Sequence, residues 1–228
     1  MKAQGLGTDP SVQEFRSAVT EWWQMNKRRF PWRERREFFG TLIAEVLLRK
    51  TTAAQVAAVY PILLEKWPDP CALSRADEGE IEATIRPLGM QKTRTSLLKR
   101  LSQALCERFG PNPNPSPDVL TPEALKGMPG LGPYAINMTL ATVKGEPLPG
   151  LDRNFIRVIE RFFGLESRRK RPHTDRLLWR FAEELIPKER SAEFNWAVLD
   201  FASLVCRPRP LCGQCPLRYM CKNPPKKS

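Results

Sequence analysis

The segment 125–152, LKGMPGLGPYAINMTLATVKGEPLPGLD, constrains the fold of this chain more than any other stretch. Its pattern predicts two helices joined by a tight turn. Gly127 ends the first helix, and Pro133 begins the second, which its apolar spacing extends to about Lys144. Glycine lets a backbone approach a ligand closely, so the N–H groups of such a turn can bind a phosphate. The alternative is a purely structural turn in which Asp152 only caps the next helix.

Helical periodicity extends over most of the remaining chain, and the sequence contains no convincing pair of strands and no repeat. Ser11 and Glu14 have the spacing of a capping box at the start of the first helix. The fold class is therefore predicted to be all-α, with helices over residues 11–29, 38–50, 52–67, 78–86, 93–109, 121–127, 133–144, 154–163, 174–186 and 191–205.

The charge balance favours a polyanionic partner. The 228 residues include 37 Lys+Arg against 25 Asp+Glu, which gives a net charge of +12. Nucleic acid is the expected partner, and a merely basic surface is the alternative. The first ten residues lack the apolar core of a signal peptide, and no apolar run approaches the length of a membrane span. We therefore expect no membrane association and a cytoplasmic location, where disulfides are uncommon.

Four of the six cysteines form a compact run near the C-terminus: Cys206, Cys212, Cys215 and Cys221. Zinc sites usually take two ligand pairs separated by a longer spacer, whereas four thiolates on one winding loop suit an iron–sulfur cluster. A structural zinc site is the alternative. The other two, Cys71 and Cys106, lie in helical apolar patterns, which predicts ordinary thiols in the core.

One acidic residue, Glu45, interrupts the apolar run TLIAEVLL at 41–48. It lies about 130° of helical angle from the centre of its helix's apolar stripe. A carboxylate in this position is either a solvated residue or a buried group with a raised pKa. Periodicity alone favours the solvated position.

Together, the hairpin, the aspartate about twenty residues beyond it and the four-cysteine loop resemble the endonuclease III superfamily of helix-hairpin-helix DNA glycosylases. The resemblance extends from Phe30 to Cys221. It implies two helical domains, with a cleft between them that holds a nucleotide flipped out of DNA. The six-helix domain with the hairpin would span 36–146, and a discontinuous iron–sulfur domain would comprise 1–35 and 147–228.

Four shorter matches indicate which groups within the superfamily the chain resembles most. FPWR at 30–33 is similar to a motif of MutY-type adenine glycosylases and Mig-type mismatch thymine glycosylases, and Glu45 matches a glutamate that both groups share. RKTTA at 49–53 and Tyr134 resemble the Mig type alone. One feature departs from the family: five residues, rather than six, separate the first two cysteines of the loop.

The resemblance implies chemical roles for three residues. Asp152 would stabilise positive charge on the sugar, Glu45 would contact the base or its water, and Tyr134 would contact the base and exclude bulky competitors. Endonuclease III has a lysine where this chain has Tyr134, which predicts hydrolysis without strand cleavage. The expected reaction removes thymine or uracil mispaired with guanine. A MutY-type adenine glycosylase, a glycosylase for another damaged pyrimidine and a non-catalytic iron–sulfur DNA-binding protein are the alternatives.

The resemblance also implies a monomer that is associated with the nucleoid. It further implies how the protein holds double-stranded DNA. Gly130, Gly132 and Lys126 would bind the DNA backbone at the hairpin, with a monovalent cation held by hairpin carbonyls. Lys50 and Met90 would fill the gap left by the flipped base, and a core contact is the alternative for Met90. The four cysteines of the C-terminal run would hold a [4Fe-4S] cluster.

Overall fold

The computed structural model describes residues 9–223, whose only regular structure is α-helix and short 3-10 turns. The predicted all-α fold class is confirmed. In chain order, the α-helices of this part of the chain are α1 Pro10–Asn26, α2 Pro31–Arg35, α3 Phe38–Leu47, α4 Ala53–Lys66, α5 Pro70–Arg75, α6 Glu78–Ile85, α7 Gln91–Phe109, α8 Pro122–Leu125, α9 Pro133–Lys144, α10 Arg153–Phe163, α11 Arg176–Leu185 and α12 Ser191–Leu204. Within the described range, no helix is both long and apolar enough to cross a membrane.

Helix ends differ from the sequence prediction where local contacts decide them. α1 is capped by Asp9, whose side chain accepts the N–H of Ser11 at 2.8 Å. The predicted capping box of Ser11 and Glu14 was therefore wrong. α3 ends at Leu47 rather than at residue 50, because the chain turns there and Lys50 adopts a left-handed backbone with φ +56°.

The chain divides into two compact units. The hairpin unit is the continuous segment Arg29–Lys144 and contains α2 to α9. The cysteine unit is discontinuous and contains α1 and α10 to α12. It comprises the described residues up to Arg28 and those from Gly145 onwards.

The central helix of the hairpin unit is α3. Its sequence, FFGTLIAEVL, is apolar on nearly every side, and every one of its residues is buried. It packs against α2, α4, α7 and α9. Gly40 permits the close approach of α4, because a Cβ at this position would lie 2.6 Å from the hydroxyl oxygen of Tyr60. A side chain at position 40 would therefore displace the side chains of Tyr60 and Leu64.

A disulfide joins Cys71 of α5 to Cys106 of α7, and the two Cα atoms lie 4.9 Å apart. The prediction that these residues are ordinary core thiols was wrong. Helical periodicity places each cysteine on the packed side of its own helix, but it cannot show that the two sides face each other. The bond closes a loop with a sequence separation of 35, which restricts the unfolded chain.

In the cysteine unit, α12 packs against both α1 and α10. The rings of Phe15 and Phe162 lie 5.0 Å apart in the core between these helices. Asp200 is fully buried and accepts hydrogen bonds from Trp23 Nε1 at 2.8 Å and from Arg28 Nε at 2.7 Å. This carboxylate is therefore paired within the core, which is the condition under which buried charges are tolerated.

Candidate active site

Asp152 lies at the N-terminus of α10, in the cysteine unit. Its Oδ1 accepts the N–H of Phe155 at 2.7 Å, and its Oδ2 accepts the side-chain amide of Asn154 at 2.7 Å. These hydrogen bonds favour the carboxylate form, but burial acts in the opposite direction and has the larger effect, so the pKa of Asp152 is raised. Asp152 is therefore a helix cap, and the cap fixes the orientation of its carboxylate.

Asn195 of α12 fixes the link that precedes Asp152. Its fully buried side chain accepts the N–H of Gly150 at 2.7 Å. The same amide donates to the carbonyls of Leu148 at 2.9 Å and Ser191 at 3.0 Å. The carbonyl of Gly150 in turn accepts the N–H of Asp152 at 3.0 Å. One buried amide thus sets the approach of the Pro/Gly-rich link to α10.

Glu45 lies on α3, in the hairpin unit, and only 7% of its surface is exposed. The sequence-based preference for a solvated position was wrong. Periodicity measures the angle of Glu45 from the stripe of its own helix, whereas α3 is covered on several sides by other helices. Acidic residues are rarely this buried unless they are paired or take part in chemistry.

Tyr134 is the second residue of α9 and is half-buried. α9 packs against α3, the helix that carries Glu45. The hairpin unit therefore places these two predicted site residues on neighbouring helices. The third, Asp152, belongs to the cysteine unit.

The two glycines of the hairpin turn have different conformations. Gly130 has φ +77°, and a Cβ there would lie 2.6 Å from Leu97 Cδ1. Gly132 lies outside the left-handed region, and no atom lies within 4 Å of its Cβ position. Both glycines and Lys126 are exposed, and the carbonyl of Gly130 accepts a hydrogen bond from Arg49 Nη1 at 3.1 Å. The turn thus presents open backbone at the start of α9.

Lys50 and Met90 are both exposed, and Met90 has 54% of its surface accessible. The alternative in which Met90 is a core contact was wrong. Met90 directly precedes α7 and has a left-handed backbone with φ +51°, so its side chain is not held on the apolar side of that helix.

The four cysteines of the C-terminal run line one cavity together with Arg161, Arg218 and a few apolar groups. Each cysteine is a partly exposed free thiol, and burial raises the pKa of Cys215 to about 11. Across residues 9–223, no group of three or more histidine, cysteine, aspartate or glutamate side chains could hold a metal ion as placed. The donor set consists of sulfur, the ligand that iron–sulfur clusters and structural zinc both take.

Two arginines of α10 that sequence reasoning missed hold the cysteine loop. Arg161 Nη1 lies 3.7 Å from Cys206 Sγ, and the Arg161 carbonyl accepts the thiol of Cys221 at 3.3 Å. Arg157 Nε donates to the carbonyl of Cys206 at 2.7 Å. The spacing of four between these arginines places them on one face of the helix, a signal that was present in the sequence. α10 is therefore capped by Asp152 at its N-terminus and contacts the cysteine loop with its second half.

A family model described as the HhH-GPD superfamily base excision DNA repair protein matches residues 43–184. The chain belongs to this superfamily. The resemblance to helix-hairpin-helix DNA glycosylases that the sequence motifs indicated is thus confirmed.

Relatives within the superfamily match nearly the full length of the chain. The chain is 46% identical to a thymine/uracil-DNA glycosylase of Pyrobaculum aerophilum, a match that covers 90% of this chain and 88% of the relative. It is 39% identical to a thymine-DNA glycosylase of Aeropyrum pernix, with 92% and 94% covered.

Solved structures are similar in fold over the same range. A thermostable thymine-DNA glycosylase superposes with a TM-score of 0.86 at 29% identity, covering 95% of this chain and 97% of that chain. Endonuclease III from a non-covalent DNA complex superposes with a TM-score of 0.72 at 25% identity, with 92% and 95% covered.

Proposed function

We propose that this protein is a DNA glycosylase of base excision repair that hydrolyses the N-glycosidic bond of thymine or uracil mispaired with guanine. The observation that carries the proposal is the likeness to relatives named thymine/uracil-DNA glycosylases along nearly the whole chain. The net charge of +12 supports a DNA partner, because neutralising phosphates contributes much of the affinity for duplexes.

Asp152 has the role of the carboxylate at the sugar. Cleavage of the N-glycosidic bond develops positive charge on the sugar, and an ionised carboxylate stabilises that charge. The hydrogen bonds from Phe155 and Asn154 support this role because they fix the carboxylate without neutralising it. Burial supports it too, since electrostatic stabilisation is stronger where water is excluded.

Glu45 and Tyr134 act on the departing base. Negative charge builds on the base as the bond breaks, and a hydrogen-bond donor or an ordered water helps it to leave. Glu45 is buried on α3 and Tyr134 is half-buried on the adjoining α9. A tyrosine ring at this position offers both an apolar surface and a hydroxyl to the base.

The reaction ends at base release. A glycosylase that also cleaves the strand needs an amine to attack the sugar, and lysine is the usual source. Position 134, where endonuclease III has its lysine, is Tyr134 in this chain. The proposed product is an intact strand with an abasic site.

The DNA backbone binds at the hairpin turn. Gly130 and Gly132 are exposed at the start of α9, a twelve-residue helix whose N-terminus favours a phosphate. Lys126 adds a positive charge, and the carbonyls of the hairpin would hold a monovalent cation, as the resemblance to the superfamily implies. The exposed side chains of Lys50 and Met90 fill the space left by the flipped nucleotide.

We assign a [4Fe-4S] cluster to the four cysteines that line the cavity of the cysteine unit. Arg161 supports this assignment, because its N–H group faces the sulfur of Cys206 and offsets the charge of a thiolate. The thiolates of Cys206, Cys212, Cys215 and Cys221 would hold the cluster, which would thereby cross-link the loop. Broad absorption near ~400 nm in the purified protein supports the cluster, whereas a colourless protein with stoichiometric zinc rejects it.

The function is tested by base release from duplexes that carry T·G, U·G, A·G, A·8-oxoguanine or thymine glycol, with and without alkali. Strand breaks at T·G and U·G that require alkali are expected. Release of adenine would instead place the protein with the MutY type, and breaks without alkali would overturn the assignment of Tyr134.

Two substitutions separate an enzyme from a protein that only binds DNA. Glu45→Gln and Asp152→Asn should each abolish base release while duplex affinity stays near the wild-type value, because neither removes a phosphate contact. Asp118→Asn, at an exposed carboxylate of the hairpin unit, is the control and should release base normally. Full activity in the double variant would reject the proposed site.

A further inference from the structure

Lys50 and Met90 share a backbone conformation that side chains rarely adopt. Lys50 has φ +56° and Met90 has φ +51°. Within residues 9–223, only four non-glycine residues have a positive φ, and these are two of them. A left-handed backbone is unfavourable for residues with a Cβ, so it persists only where surrounding contacts enforce it.

The loop that carries Lys50 is held by the guanidinium of Arg94, a residue of α7. Arg94 Nη1 donates to the carbonyl of Leu47 at 3.2 Å, and Nη2 donates to the carbonyl of Arg49 at 2.7 Å. Nη2 also donates to the hydroxyl of Thr51. These acceptors lie on both sides of Lys50, so one planar group fixes the turn at whose tip Lys50 lies.

The same guanidinium holds the loop that carries Met90. Arg94 Nε donates to the carbonyl of Gly89, the residue that directly precedes Met90, at 3.0 Å. The backbone N–H of Arg94 bonds to the carbonyl of Met90 at 3.0 Å as part of the first turn of α7, a bond that does not depend on the side chain. The two loops are separated by some forty residues of chain, yet a single side chain bonds to the backbone of both.

Burial of the charged Arg94 side chain costs hydration free energy, a cost that a residue needed only for packing would avoid. Only 6% of its surface is exposed, and it lies in line with Leu98, Leu101 and Leu105 on the buried face of α7. An apolar residue would complete this face at lower cost, because a buried charge must recover its hydration from hydrogen bonds. The guanidinium of Arg94 donates to neutral oxygen atoms of the two loops, namely the carbonyls of Leu47, Arg49 and Gly89 and the hydroxyl of Thr51.

We propose that Arg94 is a positioning residue for the two side chains, Lys50 and Met90, that enter the DNA duplex. It sets Lys50 and Met90 at a fixed separation and orientation, so that the two side chains enter the duplex together when the nucleotide is flipped. A guanidinium suits this task because its rigid fork of donors bonds several acceptors at once. The inference rests on the proposed function, since it assumes that Lys50 and Met90 fill the gap in the DNA.

The test uses the full chain and a T·G duplex with 2-aminopurine next to the target thymine, whose fluorescence rises when the neighbouring base leaves the stack. Arg94→Gln should lower both the fluorescence rise and the single-turnover rate of base release, the latter by about 100-fold, as a small misplacement of positioning groups can do. Arg94→Lys, which keeps the charge but not the fork, should lie in between. Arg100→Gln, at an exposed position of α7, is the control and should match the wild type.

Combined variants distinguish a positioning role from general stability. If Arg94 acts through Lys50 and Met90, adding Arg94→Gln to the double variant Lys50→Ala/Met90→Ala should cause no further loss of flipping. A loss of equal size in both backgrounds would overturn the proposal. Thr51→Val removes one acceptor of Arg94 and leaves the buried charge in place, so it should give a smaller loss of flipping in the same assay. This variant replaces Arg94→Gln in the test if Arg94→Gln does not fold.

The outcomes also separate this inference from the proposed function. Normal flipping by Lys50→Ala/Met90→Ala would reject the role proposed for those two residues. Impaired flipping in that variant together with normal flipping in folded Arg94→Gln would reject the role of Arg94 alone.

Discussion

Gly130→Ala should destabilise the hairpin unit by about 1.5–3.5 kcal/mol, the sum of two contributions. The left-handed backbone at φ +77° costs an alanine roughly 1–2 kcal/mol. The added Cβ would lie 2.6 Å from Leu97 Cδ1, and rotating Leu97 away from its preferred rotamer costs about 0.5–1.5 kcal/mol. Guanidinium chloride denaturation, combined with hydrogen exchange of the α9 amides, measures the loss in this unit.

Gly132→Ala is the matched control, because position 132 is outside the left-handed region and has no neighbour within 4 Å of the new Cβ. Its stability should stay within about 0.5 kcal/mol of the wild type, while its affinity for duplex DNA should fall if a phosphate approaches this backbone closely. In a double-mutant cycle, Leu97→Ala should recover the steric part of the Gly130→Ala loss. If Gly130→Ala and Gly132→Ala lowered the free energy of unfolding equally, or if Gly130→Ala did not lower it, then neither the backbone conformation of Gly130 nor its contact with Leu97 would limit stability.

Three further predictions concern other parts of the chain. Burial raises the pKa of Asp152, so the folded protein retains a proton that the unfolded chain has released only at pH values between the pKa of the unfolded chain and that of the folded protein, and stability falls as pH rises through this range. Asp152→Asn, which keeps the cap, should therefore melt at a higher temperature than the wild type at pH 7; a lower melting temperature would contradict this sign. Replacing Cys71 and Cys106 by serine should lower the unfolding free energy by up to about 4 kcal/mol, and a wild type equally stable with and without reductant would argue against the disulfide. Asn195→Ala leaves the N–H of Gly150 buried without its acceptor, which should lower the free energy of unfolding by about 1–3 kcal/mol and slow base release. An unchanged rate of base release would show that the Asn195 amide does not position the site.

The helices and the hairpin could be predicted because their signals are local. Apolar spacing located α7 and α9 within a few residues, and Pro133 marked the first residue of α9 as predicted. Family membership followed from short motifs for the same reason, since each motif lies within one turn, loop or helix end. Asp152 was recognised from its place after the hairpin, and its capping contacts lie within three residues.

The environment of the site residues could not be predicted because it depends on other helices. Periodicity describes one helix, so it placed Glu45 away from its own apolar stripe and could not include the helices that bury it. Arg94 is a charged residue within an apolar stripe, a visible irregularity, but its acceptors come from loops far away in the chain.

The sequence by itself therefore determined the helical class, the hairpin, the four-cysteine loop and the superfamily, because each of these depends on residues that are close together in the sequence. Only the tertiary structure decided that Glu45 is buried, that Cys71 pairs with Cys106 and that one guanidinium holds the loops of Lys50 and Met90. These features arise from contacts between segments distant in sequence. Such contacts are fixed by how whole helices pack, which no local pattern specifies.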